Sequence, residues 1–253
     1  MSPVHPWRRF VALGDSFTEG VGDPDPESPG GLRGWADRVA EVLGASVPDF
    51  AYANLAVRGK VLRQIVEHQI EPAVALRPDL ITISAGGNDV IRPGSDPDAL
   101  AAALDPALGR LAATGATLVL FTGTDVGWAP VFRRIRGKVA IYNENLRVLA
   151  AKHGALVADQ WGLKAIHDAH MWSVDRLHLN ASGHHEIARM VLATLGVEND
   201  LEPRRPAPHQ APTWREARRE DLTWTREYLM PWVVRRIRRV SSGDHLLPKR
   251  PSF

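Results

Sequence analysis

The sequence of 253 residues contains no cysteine. This absence excludes disulfide bonds, zinc–thiolate sites and catalysis by a thiol. The sequence also lacks any apolar run approaching the roughly 20 consecutive residues that a membrane-spanning helix needs. We therefore expect no transmembrane segment and no cysteine-dependent enzyme.

The first residues also lack the apolar core of a secretion signal. The first apolar run, Phe10–Leu13, leads directly into a motif that we interpret below as part of an active site. Cleavage at this run would remove part of the fold. We therefore expect a cytoplasmic location.

Charge of one sign is concentrated near the C-terminus. Residues 204–253 contain 12 Lys and Arg against 5 Asp and Glu, whereas residues 1–203 contain 19 against 24. Opposite charges favour docking of this tail onto its own acidic body. The alternative is that the tail makes peripheral contact with an anionic surface.

Short apolar runs alternate with segments of helical spacing along most of the chain. The runs predict five strands, at Phe10–Leu13, Phe50–Leu55, Leu80–Ser84, Thr117–Thr122 and Ala155–Ala158. Between or after them, helical spacing occurs in Trp35–Leu43, Val61–Ile70, Leu100–Ala113, Val139–Ala151 and Ile187–Leu195. This alternation predicts a parallel sheet with helices on both faces. Sites in such folds form at the carboxyl ends of the strands.

The composition changes near residue 203. We predict a main domain over residues 1–202, a Pro-rich linker over 203–213 and an Arg- and Trp-rich extension over 214–253. The aromatic residues of Trp214–Val240 carry much apolar area, and burial of one large side chain contributes roughly 1.5–3 kcal/mol. We therefore expect one or two helices there, packed on the main domain.

The first motif with chemical potential is Gly14–Gly20, directly after the first predicted strand. Ser16 at the end of a strand can project into the crevice, where N–H groups of a following turn face an anion. Ser16 and Glu19 also have the spacing of a helix capping box. Catalysis and capping are both open for Ser16 from this motif alone.

Two further motifs follow the second and third predicted strands. Gly59 ends the motif Asn54–Gly59, where the missing side chain would let an N–H approach a substrate closely. Asn88, in the motif Gly86–Asp89, offers a neutral amide donor. Each motif, taken alone, also fits an ordinary loop or turn.

The fourth motif, Asp175–His178, lies before the last predicted helix. Three residues of separation allow the Asp175 carboxylate to reach the His178 imidazole, where it would fix the tautomer and stabilise the protonated ring. A surface loop is the alternative for this motif alone. Asp159 is the second candidate carboxylate, although it lacks the close spacing to His178.

The four motifs together resemble the SGNH hydrolases, also called GDSL lipases or esterases. The Ser, Gly, Asn and His for which that family is named correspond to Ser16, Gly59, Asn88 and His178, in this order. Phe17 stands where the family's Leu usually does, and Leu179–His184 also resembles the family's last block. The resemblance extends over residues 10–195.

The resemblance implies a flavodoxin-like three-layer sandwich with a five-stranded parallel sheet. It implies a serine esterase in which Ser16 attacks an ester, Asp175 and His178 complete the triad, and an acyl-enzyme forms. The oxyanion hole would consist of the Ser16 and Gly59 N–H groups and the Asn88 side chain. This chemistry needs no metal or other cofactor. The partner would be a small-molecule ester, and no nucleic acid is expected.

Two other functions remain open at this point. The His and Asp residues crowded between positions 167 and 185 could serve a metal-dependent hydrolase. Alternatively, a non-enzymatic binding module could use the tail, where an apolar stripe accompanies Arg235, Arg236, Arg238 and Arg239, as in a helix that lies on a membrane surface.

Overall fold

The computed structural model describes residues 5–129, 131–204, 214–231, 234 and 243–253. It contains five strands, β1 (Arg9–Leu13), β2 (Ala51–Asn54), β3 (Leu80–Ile83), β4 (Thr117–Phe121) and β5 (Leu156–Ala158). They form one parallel sheet in the order β2-β1-β3-β4-β5. This order is that of flavodoxin-like sheets, in which the direction of the crossover connections switches between β1 and β3.

The connections between strands are largely helical. The helices are α1 (Ser16–Glu19), α2 (Gly34–Ser46), α3 (Leu62–Ala75), α4 (Gly87–Val90), α5 (Pro97–Ala112), α6 (Arg136–His153), α7 (Ala181–Thr194) and α8 (Trp214–Trp224). A π-helical turn, Thr225–Leu229, continues α8. Short 3₁₀ turns occupy Pro29–Gly31, Phe132–Ile135, Lys164–His167 and Ala169–Met171. Within these described parts, no helix is both long and apolar enough to cross a membrane.

Alternate side chains of each strand enter two different cores. In β1, Phe10 and Ala12 pack with α2 and α7, whereas Val11 and Leu13 pack with α3, α5 and α6. All four side chains are fully buried, as expected for a parallel sheet that is covered on both faces. The predicted three-layer sandwich is therefore confirmed.

The chain returns to the edge of the sheet near its C-terminus. Arg250 and Asn54 of β2 exchange backbone hydrogen bonds of 3.4 and 2.9 Å. The adjacent Lys249 Nζ donates to Asp37 Oδ2 at 2.5 Å, and both side chains are buried. Burial raises the pKa of Asp37 and lowers the pKa of Lys249, although the ion pair opposes both shifts. These contacts attach residues 249–250 to α2 and β2.

Part of the predicted C-terminal organisation lies outside the described residues. This applies to positions 205–213 of the predicted linker and to the four arginines of the basic stripe, Arg235, Arg236, Arg238 and Arg239. The described part of the predicted extension is helical over α8, as expected. The division into main domain, linker and extension stays a prediction.

Candidate active site

Ser16 lies at the carboxyl edge of the sheet, three residues beyond β1. The intervening Gly14 is tightly enclosed, because an added Cβ would lie 2.6 Å from Thr18 Oγ1. The Gln69 side chain donates to Gly14 O and accepts from Gly14 N–H, both at 2.8 Å. Asp15 then caps α1 by accepting from Phe17 N–H at 3.1 Å. The turn therefore presents Ser16 at the first position of a helix, next to the β1–β3 switch point.

Three side chains form a continuous hydrogen-bonded chain across this edge. His178 Nε2 lies 3.0 Å from Ser16 Oγ, and His178 Nδ1 lies 2.6 Å from Asp175 Oδ2. An Nδ1–H that donates to Asp175 leaves Nε2 free to accept the Ser16 proton. The geometry thus brings the three predicted triad residues together in the order that base catalysis requires.

The Asp175 carboxylate is heavily hydrogen-bonded. Its Oδ1 accepts from Ser173 Oγ at 2.6 Å and from the N–H groups of Leu177 and His178, both at 3.0 Å. Burial opposes ionisation, but the hydrogen bonds and the His178 ring hold the pKa of Asp175 well below its usual range. The carboxylate therefore remains charged and can stabilise a protonated His178.

The predicted oxyanion donors meet at the same cleft. Gly59 has a left-handed backbone, with φ of 75°, and lines the cleft together with Ser16. Among the described residues, no group accepts a hydrogen bond from the N–H of Ser16 or Gly59. These two N–H groups are thus available to a bound oxygen.

Asn88 is placed differently from the two backbone donors. Its Nδ2 donates to Asp15 Oδ2 and to Lys60 O, both at 3.0 Å. The side chain therefore ties together the loops that follow β1, β2 and β3. It would have to exchange one of these hydrogen bonds to donate to an oxyanion.

Glu19 and Arg58 form an ion pair that the sequence interpretation missed. The buried Glu19 carboxylate accepts from Arg58 N at 2.6 Å, Nε at 3.0 Å and Nη2 at 2.6 Å. The capping-box alternative is wrong, because Asp15 caps α1 and Glu19 binds Arg58 instead. The pair links the helix that carries Ser16 to the residue before Gly59. In the sequence, the ion pair is signalled only by an acidic residue in the motif Gly14–Gly20 and a basic residue in the motif Asn54–Gly59.

The three catalytic candidates open onto a cleft of about 800 Å³. Much of its wall is apolar and comes from the ends of α4 and β4, from the segment between β4 and α6, and from α6 itself: Val90, Phe121, Val126, Phe132 and Tyr142. Trp128 and Trp172 pack with ring centroids 5.4 Å apart and also line the cleft. The cleft is also lined by Trp224, the last residue of α8, and by Tyr228 in its π-helical continuation.

The His and Asp residues near positions 167–185 do not converge. His170 pairs with Asp168 at 2.8 Å on the surface, whereas His184 Nε2 lies 3.2 Å from Val21 O and His185 Nε2 lies 2.9 Å from Glu202 O. In the described ranges, no three His, Cys, Asp or Glu side chains are grouped to hold a metal ion. The metal-dependent alternative therefore gains no support from the geometry.

Asp159 does not serve as the partner of His178. Its Oδ1 accepts from Thr122 Oγ1 at 3.0 Å and from Arg147 Nη2 at 2.8 Å. Since Asp175 occupies the His178 Nδ1 side, the second candidate carboxylate has a different function in the fold.

The parallel sandwich carries a hydrogen-bonded Ser, His and Asp at its carboxyl edge. Together with the family match that follows, this arrangement defines the class as a carboxylic ester hydrolase. A model of the GDSL-like lipase/acylhydrolase family matches residues 12–186. The chain belongs to this family, which confirms the resemblance seen in the sequence.

Solved structures also resemble the chain. The α/β hydrolase enzyme LAE5, from the metagenome of Lake Arreo in Spain, is 25% identical with a TM-score of 0.62, covering 75% of this chain and 95% of its own. The acetylxylan esterase Axe2 of Geobacillus stearothermophilus is 21% identical with a TM-score of 0.61, covering 78% and 98%. TesA is 19% identical with a TM-score of 0.62, covering 74% and 97%. No curated protein matches by sequence.

Proposed function

We propose that this protein is a serine esterase that cleaves small or lipid-like carboxylic esters through an acyl-enzyme on Ser16. The observation that carries the proposal is the hydrogen-bonded sequence Ser16 Oγ, His178 and Asp175, with contacts of 3.0 and 2.6 Å. Such a chain activates a hydroxyl that is otherwise a weak nucleophile.

In the proposed first step, Ser16 Oγ attacks the ester carbonyl while His178 Nε2 takes the hydroxyl proton. The tetrahedral oxyanion accepts hydrogen bonds from the N–H groups of Ser16 and Gly59, with Asn88 as the third candidate donor. The C–O bond to the leaving group then breaks, and His178 returns its proton to the departing alkoxide. The alcohol leaves and the acyl group stays on Ser16.

In the second step, His178 takes a proton from water, whose oxygen attacks the acyl carbonyl. Collapse of this intermediate breaks the bond to Ser16 Oγ, which recovers its proton from His178. A carboxylic acid is released. Asp175 remains ionised throughout and stabilises the protonated imidazole in both steps.

The apolar lining of the cleft supports recognition of an apolar acyl group in the substrate. Its wall near α6 is built from side chains such as Val126, Phe132 and Tyr142, which offer an acyl chain few hydrogen-bonding groups. Burial of each methylene contributes about 0.8 kcal/mol. A series of p-nitrophenyl esters should therefore show kcat/KM rising with acyl length before it declines, whereas an acetyl optimum would contradict this part.

The nucleophile is tested with a fluorophosphonate probe. The protein should be labelled at Ser16, and Ser16→Ala should lose both labelling and nearly all turnover. Ser46→Ala is the control, because the Ser46 hydroxyl contacts Leu43 O at the end of α2. Labelling of another serine, or an active Ser16→Ala protein, would overturn the proposal. The proposal also includes a cytoplasmic location, which fractionation of expressing cells tests.

A further inference from the structure

The C-terminal segment touches the loop that carries the proposed acid–base pair. The C-terminal segment comprises α8, its π-helical continuation and residues 243–250. Trp224 is buried, and its indole Nε1 donates to the backbone oxygen of Asp175 at 2.8 Å. The indole therefore holds the main chain of the residue that orients His178.

The next residue of the loop is held by the same helix. Arg176 has φ of 54°, in the left-handed region that residues other than glycine rarely adopt. Its guanidinium lies 5.2 Å from the Trp224 ring centroid and donates to Asp221 at 2.5 Å. Such a conformation persists only where surrounding contacts determine it. Here α8 supplies the ring contact and the ion pair.

The segment also reaches the other half of the site. Gly243 packs against the loop after β2, where an added Cβ would lie 2.0 Å from Arg58 O. Arg58 directly precedes Gly59, one of the oxyanion candidates. The segment thus contacts both the loop of Asp175 and the loop of Gly59, and Trp224, Tyr228 and Asp244 line the cleft between them.

The C-terminal segment lies outside the part of the chain that the family model matches. The family model ends at residue 186, before the segment begins.

We propose that the C-terminal segment is a positioning element of the active site, acting through the Trp224 N–H on the Asp175–His178 loop. The inference rests on the proposed function, in which these two residues serve Ser16. It adds a residue far from the family motifs to the determinants of the rate.

The test is Trp224→Phe, which keeps an aromatic ring and removes the N–H donor. Loss of one hydrogen bond should lower kcat about two- to tenfold and leave KM nearly unchanged. Trp214→Phe is the matched control, because Trp214 lies on the same helix and is 70% exposed. The control should retain wild-type kcat.

A double-mutant cycle separates positioning from a general effect on stability. If Trp224 acts through Asp175, then Trp224→Phe should have almost no further effect on kcat in an Asp175→Asn background. Multiplication of the two single effects would overturn the proposal. So would a lower melting temperature for Trp224→Phe with an unchanged kcat, which is the signature of a merely structural residue.

A second variant covers the case in which Trp224→Phe does not fold. Asp221→Asn removes the charged partner of Arg176 from an exposed position and should lower kcat by a smaller factor, again without raising KM. Wild-type kcat for Asp221→Asn, with no folded Trp224→Phe, would count against the proposal. An active Ser16→Ala protein would instead refute the proposed function, so the two failures are distinguishable.

Discussion

The two halves of the candidate active site are held in place by different means. Ser16, Gly59 and Asn88 follow β1, β2 and β3, so the sheet itself brings them together. Asp175 and His178 lie in a loop between a 3₁₀ turn and α7, with no strand of their own. This loop is held by the cap of α7, by hydrogen bonds within residues 173–178 and by Trp224.

The two halves of the site therefore differ in which residues determine their geometry. Residues on strand ends inherit their positions from backbone pairing, which single side-chain changes disturb little. Besides its local hydrogen bonds, the loop half depends on side chains from a distant part of the chain, such as Trp224. Substitutions in or around the loop should therefore change the rate through the orientation of His178, whereas substitution of Asn88 on the strand half should act at the oxyanion donor itself.

After the loss of turnover expected for Ser16→Ala, the largest decrease in kcat is expected on the loop half, for Asp175→Asn. An amide at this position disfavours the tautomer that leaves His178 Nε2 as a base, and kcat should fall by about 10³–10⁴. Steady-state hydrolysis of a p-nitrophenyl ester measures the change. Asp168→Asn, at the surface pair with His170, is the control and should stay near wild type. Wild-type activity of Asp175→Asn would mean that another group orients His178.

On the strand half, Asn88→Ala should have the next largest effect. Loss of one oxyanion donor lowers kcat by about 10²–10³, with a smaller change in KM. The Asn88 amide also joins Asp15 to Lys60, so the melting temperature must be recorded beside the kinetics. Lower thermal stability with unchanged kcat would make Asn88 a structural link only. A change confined to KM would make it a ground-state binding residue.

A smaller effect on the strand half is expected for Glu19→Gln. The variant loses the charge that accepts three Arg58 donors and should reduce the free energy of unfolding by about 1–3 kcal/mol. Denaturant unfolding measures this change, and kcat should fall modestly as the loop before Gly59 loosens. Glu41→Gln, paired with Arg33 on the surface, should change stability by less than about 1 kcal/mol. Equal effects of the two variants would show that burial of the Glu19 pair is unimportant.

Among these predictions, substitution of His184 should change activity least, and it should clearly change the pH dependence of stability. Complete burial lowers the pKa of His184 to about 4. The unfolded chain, with an imidazole pKa of about 6.5, therefore binds this proton more readily than the folded protein. Stability attributable to His184 is complete above about pH 6.5 and declines as the pH falls toward 4.

Thermal unfolding at pH 7 and pH 5 tests this expectation with His184→Gln. The variant lacks the titrating ring, so its melting temperature should fall less between the two pH values than that of the wild type. His170→Gln is the control, because His170 lies at the surface. An identical pH dependence for the wild type and His184→Gln would contradict the assignment.

Local sequence patterns were sufficient to predict the five strands of the sheet. The five predicted strands coincide with the observed ones to within one residue at either end, since short apolar runs ended by Gly, Asn or polar residues have few alternatives. The order of the four motifs along these strands indicated which loops would meet. The catalytic roles of Ser16, Asp175 and His178 stay predictions that the variants above address.

What the sequence could not provide are the contacts between distant positions. Arg58 lies 39 residues from Glu19, and Trp224 lies 49 residues from Asp175. Neither pair leaves a periodic pattern, because each depends on how separate loops pack after the sheet has formed. Glu19 shows the difficulty, since its spacing from Ser16 fitted a local capping box while its actual partner is on another loop.

The ion pair between Asp37 and Lys249 has a consequence for the time course of folding. The two residues are 212 positions apart, so Asp37 is synthesised long before its partner leaves the ribosome. A buried carboxylate without its cation is costly, and closing so long a loop carries its own entropy penalty. The inner face of α2 at Asp37 should therefore stay hydrated in the nascent chain. Its final packing should therefore follow the synthesis of residues 249–250.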